Sequence, residues 1–468
     1  KTEAVYLEVP AIELADFELR RHQPGLTLST LQQIGNKPQT QDSFVQLDFY
    51  RVRGDAKLQS GRLDEATEDY RHGLAVAQEF FKHSTDEDTR LRWVLATNRI
   101  YAGFVQILLT KGQSETALAV WEWSKSQLLD REKHHLLSIE EASSRPLPRT
   151  AYPHVVYASF EDRLQIWVVR DGRTVGKSVP LKQAELLGSI RDFNMNCRNK
   201  DSLGIEVERQ STRLYDLLLR PVIADLPPSG TVAIEFDDAF PSFTIDALKG
   251  PAGSDFGEGY VVLQSPGILA ETFLRESVPL MPQAKFLVAD AAEALRGHDL
   301  PAAAISQTFS TEVLTGANLT PQKLDQKMQT SAALLVVSHG MLGDEGIRLK
   351  MSEDWSLQAK DFTPQRLRQM RLAVLAACSS DYSGNGLWGP ESLVRALLAG
   401  KVPNVIASRW DVDSQSTGEL FKSFYTYLGQ GEMPVQALQH ARHTFRKSHP
   451  ERTHPYYWAG FYLTGKAS

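Results

Sequence analysis

Apolar positions along this chain change their period once. Over about the first 140 residues they recur at the three-to-four spacing of helices. The stretch 50–70 predicts a helix, a break at Gly61, and a second helix opened by Asp64. Gly54, Ala56 and Ala66 sit where two helices would approach closely, with Leu58, Leu63 and Tyr70 to fill the space between them. A second pair follows: a helix over 93–109, a break at Lys111-Gly112, and a helix over 114–129 with Ala117, Val120, Trp121 and Leu128 as its stripe. The run 143–153 holds three prolines among short polar residues, and no helix continues through it. Beyond it the pattern is that of strands. Residues 155–160 and 164–170, joined by Glu161-Asp162-Arg163, predict a β-hairpin, and Asp171-Gly172 closes another turn. Helical patterns over 181–193 and 203–219 lead into short apolar blocks at 231–236, 260–264, 285–288, 333–338, 372–377 and 402–408, with a last strand at 460–464. Such alternation predicts an α/β sheet covered by helices on both faces. The boundary gives a helical module over 1–145 and one large α/β domain over 150–468.

Composition narrows the class. The 468 residues are 42% hydrophobic and 23% charged, which excludes a chain disordered throughout. No window approaches the roughly 18 uninterrupted apolar residues of a membrane span. A net charge of −6 makes no electrostatic case for nucleic acid or an anionic membrane as main partner. The two cysteines, Cys197 and Cys378, exclude a disulfide framework and fit a reducing, cytoplasmic setting. The first residue is Lys1 rather than Met, so an upstream signal, anchor or further domain stays open. The helix–glycine–helix grammar of the first module resembles tetratricopeptide repeats, although its glycine breaks lie about 50 residues apart against a usual period of about 34. A generic helical bundle accounts for the same pattern. Both readings imply helical hairpins without chemistry.

Chemistry enters at the ends of two buried blocks. Residues 333–338 run straight into His339-Gly340, and 372–377 into Cys378. Parallel strands in an open α/β sheet deliver residues at their carboxyl ends to one shared edge, where ligands bind. A histidine and a cysteine about 40 residues apart are thereby expected to face each other across adjacent strand ends. That pairing suits nucleophilic catalysis: thiolate attack on a carbonyl, with imidazole handling the proton and the leaving amine. Gly340 allows close backbone approach, and its N–H, with that of Cys378, would stabilise the oxyanion of a tetrahedral intermediate. Taken singly, a cysteine ending an apolar strand is usually a small buried hydrophobe, and a histidine before glycine a turn residue. The joint pattern is far more specific. Cys197, in the polar run 194–199 with no strand before it, reads as incidental.

Strand-His-Gly, a spacer of about 40 residues, then strand-Ala-Cys resembles the signature of the caspase-like clan of cysteine peptidases. More narrowly, residues from about 150 to 468 resemble a CHAT domain, the caspase-like domain often fused to tetratricopeptide repeats. The segments that carry this are Leu214-Tyr-Asp-Leu-Leu-Leu-Arg-Pro221, Ser338-His-Gly340, Leu375-Ala-Ala-Cys378, Val405-Ile-Ala-Ser-Arg-Trp-Asp-Val-Asp413 and His454-Pro-Tyr-Tyr-Trp-Ala-Gly-Phe461. The helix ending Ala119-Val-Trp-Glu-Trp-Ser-Lys-Ser-Gln-Leu-Leu129 resembles the last helix before such domains. Cys378-Ser-Ser and Trp410-Asp-Val are similar to separase, a related clan member. The resemblance implies His339 and Cys378 as a catalytic dyad. It also implies that 405–410 is an edge strand to which a substrate peptide adds, with Ser408, Arg409 and Trp410 beside it and Trp410 lining a pocket. Asp411 and Asp413 stand where related enzymes of basic specificity carry an acidic residue, which implies a preference for Arg or Lys before the scissile bond. A competing reading makes Asp413, with Ser414 and Thr417, the cap of a helix over 419–428. Family members commonly carry Pro where Asp411 stands and Asp where Ser414 stands.

Other signals are weaker. Asp344-Glu345-Gly346 reads as a hairpin turn, and the aromatic run after His454 as core packing before the last strand. No His/Cys/Asp cluster has zinc spacing, and no cofactor is expected. The run 384–389 satisfies a dinucleotide-binding fingerprint, with Asp411 further on. Six residues, however, intervene between the strand end and its first glycine, so a pyrophosphate would miss the helix N-terminus. The expected activity is thus a cysteine endopeptidase acting on a protein substrate, with a regulatory protein partner on the helical module. The alternative is a catalytically silent caspase-like scaffold or adaptor.

Overall fold

The computed structural model describes residues 2–84, 86–130, 136–291, 299–343, 346–382, 389 and 391–468. The chain divides into two compact units, 1–148 and 149–468. The first holds α1 (Thr2–Arg20), α2 (Pro24–Gln32), α3 (Ser43–Gln59), α4 (Leu63–His83), α5 (Glu87–Thr110), α6 (Ser114–Ser126) and α7 (Ile139–Ser144). Local chemistry sets the helix ends. The Asp42 carboxylate accepts from the Phe44 and Val45 N–H groups at the start of α3, and Asp86 accepts from Thr89 at the start of α5. α3 and α5 stop alike, at Gly61 (φ +74°) and Gly112 (φ +73°). Each glycine N–H donates to the carbonyl of Leu58 or Leu109, and the following N–H to Lys57 or Leu108. This ending needs the left-handed backbone that glycine adopts freely.

The hairpins lock around one side chain. Tyr70 of α4 is fully buried, and a Cβ added at Gly54 of α3 would lie 2.6 Å from its ring. A Cβ at Gly103 of α5 would lie 2.3 Å from its hydroxyl oxygen. The hydroxyl donates to Asp55 at 2.7 Å. Leu58 and Leu63, expected to share this role, stay half-buried.

The second unit contains β1 (His154–Ser159), β2 (Arg163–Arg170), β3 (Arg173–Pro180), β4 (Gly230–Glu235), β5 (Tyr260–Gln264), β6 (Lys285–Asp290), β7 (Ser310–Thr315), β8 (Ala333–Val337), β9 (His339–Gly343), β10 (Gly346–Lys350), β11 (Ser356–Leu357), β12 (Leu372–Ala376), β13 (Asn404–Ser408) and β14 (Phe461–Gly465). Among the described residues, eleven of these form one sheet in the order β3-β2-β1-β4-β5-β14-β13-β12-β8-β6-β7, and β9, β10 and β11 form a small separate one. From β1 to β14 the strands β1, β4, β5 and β14 run one way, and β13, β12, β8, β6 and β7 run the other. The antiparallel pair β13–β14 is the seam between the two parallel sets.

Helices flank the large sheet: α8 (Gln183–Cys197), α9 (Gly204–Leu218), α10 (Phe256–Gly259), α11 (Asp299–Ser306), α12 (Pro321–Met328), α13 (Leu393–Ala399), α14 (Ser414–Gly429), α15 (Pro434–Ser448) and α16 (Pro455–Trp458). Leu335, Val337, Val374, Ile406 and Leu463 of the central strands share a core with Phe421, Phe424 and Tyr425 of α14. Phe421 meets Phe461 of β14 edge to face, at 4.8 Å. Trp458 joins the same core, and His454 accepts from the Tyr456 N–H at the start of α16.

Three expectations change. Residues 405–408 do not form an edge strand: β13 pairs with β12 on one side and β14 on the other. Cys197, read as incidental in a polar run, has a packing role. It closes α8 fully buried in the core. β7 is a strand that the sequence pattern does not announce, because Ser310–Thr315 lies at the sheet's edge with only Leu314 buried. The turn residues Asp344 and Glu345, and the run 384–389 apart from Gly389, lie outside the described residues.

Gly103→Ala is expected to destabilise the chain by about 1–3 kcal/mol, the range for overpacking a filled core. Urea unfolding followed by circular dichroism checks this, and an unchanged midpoint would remove Tyr70 as the wedge between α3 and α5.

Candidate active site

β8 and β12 pair in parallel, Val336 beside Leu375 and Val337 beside Ala376. The Ser338 N–H still donates to the Ala376 carbonyl at 3.4 Å. Carrying this register two residues further sets His339, the first residue of β9, level with Cys378. β9 then crosses so close to residue 378 that a Cβ on Gly340 would lie 2.3 Å from the Cys378 carbonyl oxygen. Any side chain there would push the two segments apart. His339 is exposed and Cys378 half-buried. Among the described residues, the His339 imidazole makes no hydrogen bond to the thiol or to any other group.

The chain turns sharply after the cysteine. Ser379 holds φ +49°, a conformation that costs a non-glycine residue energy and persists only where its surroundings impose it. Two buried serines impose it here. The Ser408 hydroxyl donates to the Ala377 carbonyl at 2.5 Å and accepts from the Ser380 N–H at 3.2 Å. The Ser380 hydroxyl donates to the Leu375 carbonyl at 3.0 Å and accepts from the Ser408 N–H at 2.8 Å. The Asp381 N–H adds a bond to the Ser408 carbonyl at 3.1 Å. The turn carrying Cys378 is thus stitched to the end of β13.

Burial first, then the nearby Asp411 carboxylate, raise the pKa of the Cys378 thiol, while hydrogen bonding from the Val412 backbone works the other way. Asp411 is exposed and accepts from the Ser379 hydroxyl at 3.2 Å. Burial and the carboxylate thus favour the thiol over the thiolate.

The family model of the CHAT domain matches residues 208–466, and so spans both strand ends and the whole turn. The chain belongs to the CHAT-domain family. No curated protein matches it. Two crystal structures of the Saccharomyces cerevisiae separase–securin complex, at 2.6 and 3.0 Å resolution, resemble this CHAT-domain chain with TM-scores of 0.55 and 0.54. The identity is 9% in both; the match covers 99% and 98% of this chain and 47% of the other, about half its length. This likeness is one of fold, a caspase-like α/β sheet flanked by helices.

The remaining residues of this CHAT domain's candidate site divide by what they touch. Ser408 is buried and engaged with Ser380 and Ala377. The Arg409 guanidinium lies 4.2 Å from the centre of the Tyr462 ring, with its N–H groups toward Ala459 and Gln264, each at 3.4 Å; burial lowers its pKa. Trp410 is buried and donates from its indole to the Tyr456 carbonyl at 3.4 Å. Asp413 caps α14, accepting from the Ser416 N–H at 2.8 Å. Beside the turn lies a cavity of about 310 Å³ lined by Trp410, Arg409, Asp381, Tyr382, Phe236 and Phe240, among others. Burial raises the Asp381 carboxyl to about 6 even with Arg409 close by. Ser380 and Tyr456 fall inside segments that carry the family resemblance, yet no local pattern assigns them a role, and Asp381 has no sequence signal, since the importance of all three comes from neighbours distant along the chain. Among the described residues, no group of three or more His, Cys, Asp or Glu side chains is arranged to hold a metal ion.

Iodoacetamide should modify Cys378 and spare the buried Cys197 in the native chain. The rate should climb with pH through a midpoint above the roughly 8.5 of a free cysteine; peptide mapping across a pH series reads both. Ser408→Ala strands the Ser380 N–H and the Ala377 carbonyl, and should cost about 1–3 kcal/mol of stability in urea unfolding.

Proposed function

We propose that this chain is a cysteine endopeptidase of caspase-like type, with Cys378 as nucleophile and His339 as acid and base. The observation that carries this reading is the parallel pairing of β8 and β12 up to Val337 beside Ala376, two residues short of His339 and Cys378, with Gly340 against the Cys378 carbonyl. Membership of the CHAT family supports it. His339 takes the thiol proton and the sulfur attacks the scissile carbonyl, whose oxygen becomes an oxyanion held by the N–H groups of Gly340 and Cys378. The imidazolium gives that proton to the amide nitrogen as the C–N bond breaks and the amine leaves. Water then attacks the thioester, passing a proton to His339. Collapse releases the carboxylic acid, and the departing sulfur recovers the proton. The imidazole reaches the thiol once substrate has drawn β9 and the turn together, since catalytic hydrogen bonds commonly tighten only in the complex.

The substrate is a protein. With β13 paired on both edges, the substrate strand lies against the segment beyond it, 410–413, with Trp410 walling the adjoining pocket. Ser408 and Arg409 hold that segment from beneath, and Asp413 anchors its far end. Asp411 is then the carboxylate left to favour Arg or Lys before the scissile bond. The N-terminal hairpins serve as a tetratricopeptide-like platform for a regulatory protein, as separase in the matched structures is held in complex with securin. Two free cysteines suit a reducing, cytoplasmic setting, and among the described residues no helix is long and apolar enough to cross a membrane.

One observation favours a second reading, a catalytically silent adaptor: the His339 imidazole makes no hydrogen bond to the Cys378 thiol, whose pKa burial and Asp411 raise. Co-expression with candidate substrates distinguishes the two. Wild type should cut its substrate, and Cys378→Ala or His339→Ala should lower the rate at least about 10³-fold. Full biological activity in Cys378→Ala decides for the adaptor.

A further inference from the structure

Asp411 stands in two relations at once. It is an exposed carboxylate held by the Ser379 hydroxyl, 3.2 Å away on the residue next to the cysteine, and its segment is tied to the same turn where the Ser379 N–H reaches the Trp410 carbonyl at 3.4 Å. The turn itself is strained at Ser379 and stitched behind by Ser380 and Ser408, so the backbone that carries the sulfur is held beside the segment that carries the carboxylate. Other titratable groups around the sulfur are Asp413 after β13, Tyr456 of α16 and His339 of β9. Asp413 is committed to capping α14, and Tyr456 is a neutral phenol whose pKa burial first, then nearby carboxylates, raise. The Asp411 carboxylate acts on the sulfur and opposes formation of the thiolate that the proposed reaction needs.

We propose that Asp411 couples recognition to activation: at rest its carboxylate restrains Cys378 in the thiol form, and a cationic side chain of the substrate, by pairing with Asp411, lifts that restraint. This rests on the peptidase reading and deepens it. An ion pair with Arg or Lys offsets the negative charge at the sulfur, so the substrate that fits is also the one that arms the nucleophile. A neutral side chain in the same place leaves the carboxylate unpaired. Specificity would then reside in the rate of attack as well as in binding.

Two probes applied to the full chain and to its Asp411→Asn and Asp411→Glu variants test this. Iodoacetamide, which needs no recognition, should alkylate Cys378 about three- to tenfold faster at pH 7 in Asp411→Asn, with the rate–pH curve moved to lower pH; Asp411→Glu should behave as wild type. A peptidyl acyloxymethyl ketone ending in Arg should label wild type at least about tenfold faster than the same probe ending in norleucine, and Asp411→Asn should bring that ratio close to one. The signature is this opposition, a thiol more reactive toward the small reagent and less discriminating toward the large one. An unchanged iodoacetamide profile in Asp411→Asn overturns the restraint. A retained Arg preference in that variant overturns the coupling. Failure of both ketones to label wild type overturns the peptidase reading and the recognition half with it, while the iodoacetamide arm still reads the restraint alone.

Discussion

The parallel register of β8, β12 and β13 decides which side chains meet at the edge of the sheet, and burial on both faces holds that register. Leu334 to Val337 and Leu372 to Leu375 are all buried, so a slip of one residue would exchange the packing of every side chain in the strand. With the register set, the strands leading to His339 and Cys378 end side by side, and Ser408 stands beside the residues that lead into the turn. Backbone hydrogen bonds alone would leave the chain free to wander past Ala376. The reciprocal bonds of Ser380 and Ser408 extend order through the turn and supply the force that holds Ser379 in a left-handed conformation.

Electrostatics at this edge run against the most direct picture of a cysteine nucleophile. Such a residue usually gains from a neighbouring cation or a helix N-terminus; Cys378 has a carboxylate beside it instead, and its imidazole stands apart. On the proposed peptidase reading, a thiol disfavoured as thiolate until substrate binds would make a slow hydrolase at rest, a useful property for an endopeptidase that must spare most of the proteins around it.

The legibility of the chain tracks burial. β8 and β12 are central and buried on both faces, so they stand out as unbroken apolar blocks. β7 is half solvated, and Ser310–Thr315 reads as a polar stretch. β13 is also an apolar block, yet no local pattern tells whether one neighbour or two will pair with it; the antiparallel return of β14 made it interior. Gly54 and Ala66 mark a close helix approach, and Tyr70 fills it, whereas the contribution of Gly103 emerges only when α5 packs against α4. Asp413 is legible as a cap because capping acts within three residues. The serine stitch was not, because Ser380 and Ser408 meet across two strands.

The chain's own pattern determined the helical hairpins, the buried strands, and the place of His339 and Cys378 just beyond two of those strands. These depend on period, capping and turn chemistry, which act over a few residues. Tertiary structure alone decided that β13 is interior, that the half-buried Arg409 lies over the Tyr462 ring, and that the Asp411 carboxylate acts on the sulfur. Those outcomes depend on which strands become neighbours, and so on contacts between residues far apart in the chain that no local pattern encodes.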